Sequence, residues 1–261
     1  QEKLIESVNE LQSYPKYTPT SVIDHKKAKK LEPHINFKGN ENIIFSKADG
    51  AIDPKDAISK MIDVIKKNGG SVLYPCKFER IIESNDSFSK VKTSMGILKS
   101  ENVIFCNGVD VDNSFNVNFL KKPRPGVIIK TKPQKNLINS VVYGPKIHAH
   151  QQSNGQIIIG EQITAPIKKN TKDHIKRINK HFKSMVKGGT DLNPSEVLIG
   201  WRPIPKDDLP IIGKFKNKSV YIAVMHSGIS LAAIVGNLVT QEIVDEVDSL
   251  LLKDFRPSRF F

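Results

Sequence analysis

Two groups near the C-terminal end of the chain have the chemistry to handle a small anion. The first is Arg202, in Gly200-Trp201-Arg202-Pro203, just after the apolar run Val197-Leu198-Ile199. A guanidinium at a strand end offers a planar, bidentate grip on a carboxylate. The same residue would serve equally as one half of a surface ion pair. The second group is the backbone at Gly228, which follows Met225-His226-Ser227 and opens a helix expected over residues 229–247. The first amides of a helix lack intrahelical partners, and with the helix dipole they stabilise negative charge. Gly228 also allows close approach to the backbone. An ordinary glycine-started helix has the same pattern.

Other candidates are weaker. His226 sits just before that turn, where its imidazole would meet a ligand or simply pack at the strand end. His148-Ala149-His150 places two imidazoles on one face of a strand, because side chains alternate. They could be a metal pair, the lining of a cavity or plain sheet positions; no third ligand is near in sequence. Asp207-Asp208 reads as turn chemistry, with side chains bonding local N–H groups. Cys106 ends an apolar run and reads as a buried, inert thiol. Asn107-Gly108 follows it as a turn where the backbone can approach another molecule.

The elements that must position these groups are read from periodicity. Asp53-Pro54 is an N-cap and first-turn proline, followed by an apolar stripe of Ala57, Ile58, Met61, Ile62, Val64 and Ile65 and a Gly69-Gly70 stop. Residues 24–30 form a short polar helix, and residues 1–20 read as a helix end and a loop broken by Pro15 and Pro19. Strands are expected over residues 43–45, 71–74, 78–83 and 88–93. The run Val103-Ile104-Phe105-Cys106 is wholly apolar, as in a strand buried on both faces. Residues 126–131, 141–143, 147–151 and 156–159 read as an antiparallel sheet, with Asn154-Gly155 in one turn. A helix capped by Thr171 carries Ile175, Ile178, Phe182, Met185 and Val186 on one face and stops at Gly188-Gly189. Residues 197–199 and 220–224 are further strands. The chain therefore alternates an α/β layer with an antiparallel insert, an α/β (α+β) class.

Composition narrows the function classes. Net charge is +13, but only six of the 40 basic residues are Arg and the Lys are scattered. Nucleic-acid recognition favours arginine forks and aromatic platforms, so a solvated lysine surface is the plainer reading. Cys76 and Cys106 stand alone, with no zinc spacing, and suit a reducing, cytoplasmic setting, free or at the periphery of the inner membrane. The apolar stretch over residues 220–239 is split by His226, Gly228 and Asn237, so no transmembrane span is expected.

Several segments, taken in order, resemble FAD-dependent amino-acid oxidoreductases of the D-amino-acid oxidase and glycine oxidase superfamily. Asp49-Gly50-Ala51-Ile52-Asp53-Pro54 resembles that family's helix start, residues 70–78 its strand pair on the adenine side of FAD, and residues 102–108 its strand and turn at the cofactor. Gly200-Trp201-Arg202-Pro203 through Gly213, then His226-Ser227-Gly228-Ile229, resembles its C-terminal signature. Phe255-Arg256-Pro257-Ser258-Arg259-Phe260 is similar to the tail of a bacterial branch.

The resemblance implies FAD as cofactor and oxidation of the C–N bond of a small amino acid or amine by hydride transfer to flavin. It implies that Arg202 binds the substrate carboxylate, with His226, His148 and His150 lining the substrate side. It assigns Phe78, Cys106, Asn107, Gly108, Gly228, Ile229, Ser230 and Leu231 to the cofactor, and it calls for no catalytic acid–base residue and no metal. It divides the chain into residues 1–48 and 114–207 on the substrate side and 49–113 and 208–261 on the FAD side. Family members open with a strand, a G-x-G-x-x-G turn and a helix holding the pyrophosphate. None of the 16 glycines here forms a G-x-G. The expectation is thus the C-terminal two-thirds of the fold, an incomplete dinucleotide-binding layer interleaved with an antiparallel-sheet substrate domain. A missing N-terminal segment or a partner chain would complete the FAD site. The rival readings are a non-catalytic fragment or subunit and a basic nucleic-acid-binding protein.

Overall fold

The computed structural model describes Glu6 and residues 20–161, 171–188 and 193–261. The loop expected around Pro15 and Pro19 lies outside the described residues, as does Gly189. The chain forms two compact units. One comprises Gln1–Ile52 and Pro125–Gly200, the other Asp53–Arg124 and Trp201–Phe261.

In the first unit β1 (Thr20–Ile23) pairs antiparallel with β2 (Ile43–Ser46). Between them lies α1 (His25–Leu31), whose N-cap Asp24 accepts from the Lys27 amide. The main sheet contains β7 (Arg124–Thr131), β8 (Val142–Tyr143), β9 (Ile147–Gln151), β10 (Ile157–Glu161) and β11 (Pro194–Arg202), in the order β11-β7-β10-β9-β8. Alternation sets its inner face: Val127, Ile129, Ile147, Ala149, Ile157 and Ile159 are buried, together with Ile178 and Phe182 of α4 (Thr171–Met185). The antiparallel ladders of β10 with β7 and β9 match the sheet expected from alternation. The chain passes between units near the first residue of β7 and the last two of β11.

The second unit begins with α2 (Pro54–Lys67), started by Asp53, which accepts from the amides of Lys55 and Asp56. Next comes an antiparallel meander of β3 (Phe78–Ser84), β4 (Ser89–Thr93) and β5 (Gly96–Ser100). A second sheet has the order β12-β13-β6, from β12 (Ile211–Phe215), β13 (Asn217–Val224) and β6 (Val103–Phe105). β13 runs parallel to β6 and antiparallel to β12. One face of this sheet carries Phe105 and Phe215 and meets Val111 and Phe115 of α3 (Val111–Phe115) and Phe119, the neighbouring phenylalanine rings standing edge to face at 4.6–5.6 Å. The other face packs Ile212 and Tyr221 with Val235, Leu238 and Val239 of α5 (Gly228–Val244).

Several expectations are corrected. Residues 71–74 form no strand, and Tyr74 is 90% exposed. β5 and β12 were not anticipated; each is defined by antiparallel pairing with the neighbouring strand, β4 for β5 and β13 for β12. β6 is not buried on both faces: only Phe105 is buried, while Ile104 is 45% exposed. The reason is position, since β6 is an edge strand bonded only to β13. Residues 114–124 and 201–207 group with the second unit, whose core includes Phe115, Phe119 and Leu120, although Arg124, Trp201 and Arg202 are the end residues of β7 and β11.

This unit carries uncovered apolar surface. α2 buries no residue, although Ile58, Met61, Val64 and Ile65 form a stripe on it. Val72, Leu73 and Ile104 are exposed as well. A parallel edge with apolar residues in water is unusual, because such sheets are normally covered on both faces.

A buried ion pair ties the tail to the core. Arg256 donates through Nη1 to Glu242 Oε2 at 2.8 Å and through Nη2 to Oε1, and the same carboxylate accepts from the Tyr221 hydroxyl and the Ser249 amide. Desolvation pushes the Glu242 carboxyl up, but the hydrogen bonds from Arg256 and Tyr221 outweigh it and hold it below the ordinary value of 4.5. A depressed carboxylate contributes stability that is present above its unfolded pKa and lost as pH falls through the folded one. Removing one partner of a buried pair leaves an uncompensated charge, so Arg256→Ala is expected to cost about 3–5 kcal/mol at pH 7. Urea unfolding should show that gap to wild type narrowing below pH 4.5, the ordinary glutamate value; a pH-independent gap would refute the role of the pair.

Candidate functional site

The start of α5 is positioned by β13. Val220, Tyr221, Ile222 and Val224 are buried in the sheet, so the strand can leave it only at its end, through Met225-His226-Ser227. Ser227 is the N-cap, and no side chain caps the helix. Gly228, Ile229 and Ser230 are exposed in its first turn, with amides of the kind that seek acceptors outside the helix. His226 is exposed, its Nδ1 3.1 Å from Ser227 Oγ.

A cavity of about 340 Å³ opens beside this turn. Met225, His226, Ser227 and Leu231 line it from the β13–α5 connection, and Ile204, Asp208 and Arg124 complete most of the wall. Arg202 is not among its lining residues. It ends β11, half-buried, and its side chain makes no hydrogen bond or ion pair among the described residues. That departs from the surface ion pair which would have been the plainer reading. Arg124, which the sequence reading passed over, does line the cavity. Its signal was available: an arginine held between Pro123 and Pro125 in a chain with few arginines.

The neighbouring acids are committed locally. Asp207 accepts from the Leu209 amide at 3.1 Å, the turn bond expected of it, and from Arg259, whose hydrogen bond keeps its carboxyl below the usual range. Asp208 lies in the left-handed region at φ 65° and meets Lys121 Nζ at 2.6 Å.

At the end of β6 the turn has a different character. Asn107 Nδ2 donates to Ser114 Oγ at 2.8 Å, while its Oδ1 is buried with no partner. An orphaned buried acceptor costs about 1–3 kcal/mol unless a donor arrives. Gly108, at φ 58°, gives the turn a conformation that other residues adopt at a cost. Cys106 is exposed rather than buried, again because β6 is an edge, although desolvation by its surroundings raises the thiol pKa. Phe78 is turned inward: its ring meets Phe105 edge on at 5.0 Å, which makes it a packing residue of the aromatic core.

His148 and His150 belong to the first unit. On β9 they point away from the core, half-buried, while Ile147 and Ala149 point into it. Tyr143 stacks on His148 with centroids 5.1 Å apart. Across the ladder stands Gly160, where any Cβ would fall 2.1 Å from the imidazole. The histidine ring occupies the space a side chain would need. Among the described residues no three His, Cys, Asp or Glu side chains gather as a metal ion would require.

These features suit a flavin cofactor in part. The residues that could hold one are the uncapped start of α5 and the Asn107-Gly108 turn with its unpaired Oδ1; the phosphate-binding G-x-G turn is not in this sequence.

Comparison with known proteins agrees. The fold superposes on L-proline dehydrogenase from P. horikoshii with a TM-score of 0.87 at 21% identity, covering 100% of this chain and 74% of that one. Glycine oxidase from Geobacillus kaustophilus gives 0.84 at 16% identity, covering 98% and 70%. In sequence, the bifunctional protein ThiO/ThiG of Trichormus variabilis is 24% identical over 190 residues, 70% of this chain but only 29% of that protein. The chain thus spans under a third of the curated relative. Residues 1–242 match the DAO family, described as FAD dependent oxidoreductase, and the chain belongs to that family of FAD-dependent enzymes.

Proposed function

We propose that this chain serves an FAD-dependent oxidoreductase that oxidises the C–N bond of a small amino acid or amine, with Arg202 gripping the substrate carboxylate. The observation that carries the reading is an arginine with no acidic partner among the described residues, in the Gly200-Trp201-Arg202-Pro203 segment that resembles the family's C-terminal signature. A bidentate guanidinium–carboxylate contact would fix the α-carbon in one orientation. The printed names of similar proteins, a proline dehydrogenase and a glycine oxidase, support an amino-acid substrate.

FAD, when bound, supplies the acceptor for the hydride leaving the α-carbon, and water then converts the imine product to an oxo acid and an amine or ammonia. The amides of Gly228, Ile229 and Ser230 and the dipole of α5 stabilise negative charge at the helix start, with Leu231 packing beside them. Asn107 Oδ1 would accept from a donor on the cofactor, and the Gly108 and Cys106 backbone would let it approach. His226 orients the ligand from the cavity wall.

The uncovered stripe of α2 and the open edge of β6 support a further segment or partner chain that completes the dinucleotide site. Among the described residues no helix is long and apolar enough to cross a membrane. The free thiols of Cys76 and Cys106 support a reducing, cytoplasmic setting.

In the FAD-loaded enzyme, Arg202→Ala should lower kcat/KM for the amino-acid substrate by about 100-fold while changing FAD affinity less than about twofold. Steady-state kinetics with KM and kcat unchanged would count against the assignment. Asn107→Ala should instead weaken FAD retention by roughly 10-fold, the value of one hydrogen bond to a buried acceptor. Ultrafiltration of bound flavin measures this, and retention equal to wild type would remove Asn107 from the site.

A further inference from the structure

The cavity at the start of α5 contains a cation that this reading does not use. Of the six arginines, Arg177, Arg256 and Arg259 meet Glu161, Glu242 and Asp207 in ion pairs. Arg80 makes none but lies exposed on β3, outside the cavity. The Arg124 side chain, exposed at the start of β7, likewise makes no hydrogen bond or ion pair among the described residues, but it lines the cavity. The acid beside it, Asp208, is held by Lys121 at 2.6 Å.

Three observations point at an anion here. The wall around Arg124 is partly apolar, with Ile204, Met225 and Leu231, which strengthens a charge contact relative to open water. The uncapped start of α5 adds positive potential of the same sign. Pro123 and Pro125 restrict the backbone on both sides of Arg124, which fixes the point from which its side chain projects. Positive charge therefore meets in a concavity whose lining acid, Asp208, is already paired with Lys121.

We propose that Arg124 binds a second acidic group of the substrate, distinct from the carboxylate held by Arg202, so that the preferred substrate class is an amine bearing two acids. The inference rests on the Arg202 reading and narrows it. It makes Arg124 a specificity residue: the second group is gripped away from the reacting α-carbon, and the contact contributes to binding rather than to the hydride step.

The test uses the FAD-loaded enzyme with two probes, glycine and iminodiacetate, which is glycine carrying a second carboxymethyl group. Dissociation constants are measured by calorimetry for wild type, Arg124→Ala and Arg124→Gln. Wild type should bind iminodiacetate about 10- to 100-fold more tightly than glycine, the range of one charged hydrogen-bonded contact. Both variants should erase that advantage, leave glycine binding within about twofold, and retain their flavin. Equal binding of the two probes by wild type overturns the proposal. So does a variant that weakens both probes alike, which would make Arg124 the holder of the shared carboxylate, or one that loses flavin. Arg202→Ala, measured beside them, separates the two claims. If it leaves glycine unaffected, the Arg202 reading fails, whatever the Arg124 variants show.

Discussion

The second unit depends on β13 being buried on both of its faces. Ile222 and Val224 face the phenylalanine cluster, and Tyr221 faces α5, so this strand can neither slip by one residue nor rotate without exposing a whole set of apolar side chains. Its exit point is therefore fixed. Everything that gives the candidate site its character follows from that exit: His226 and Ser227 at the cavity wall, Gly228 at the helix start, and the first amides of α5 facing outward. The buried Tyr221–Glu242–Arg256 contact reinforces the same element from the far side, joining strand, helix and tail.

Charge in this unit is distributed by the same logic. Where an arginine serves packing, an acid stands within hydrogen-bonding distance, as Glu242 does for Arg256 and Asp207 for Arg259. Where an arginine stands without one, as Arg124 and Arg202 do, the compensating charge must come from solvent or a ligand. The lysines, by contrast, are scattered over exposed positions, and their excess explains the net charge without a nucleic-acid partner.

In the first unit, chemistry and packing share a sheet. Alternation sends Ile147 and Ala149 into the core and leaves His148 and His150 on the opposite face. Gly160 makes this possible, since its missing side chain is the space the His148 ring fills. Legibility from sequence was uneven for this reason. The helix cap at Asp53, the antiparallel strands and the buried run of β13 announce themselves locally, through capping residues and periodicity. β5, β12, the exposure of Cys106 and the inward turn of Phe78 do not, because each depends on which strand lies alongside.

Sequence alone determined the class of fold, the family through ordered motifs, and the placing of an arginine at a strand end and a glycine at a helix start. These are properties of short windows, where residue type restricts backbone and charge directly. Tertiary structure alone decided that β6 is an edge, that Asn107 buries an unpaired oxygen, and that Arg124 rather than Arg202 lines the cavity beside α5. Those outcomes are set by contacts between residues distant along the chain, and no local pattern encodes what a side chain will find opposite it.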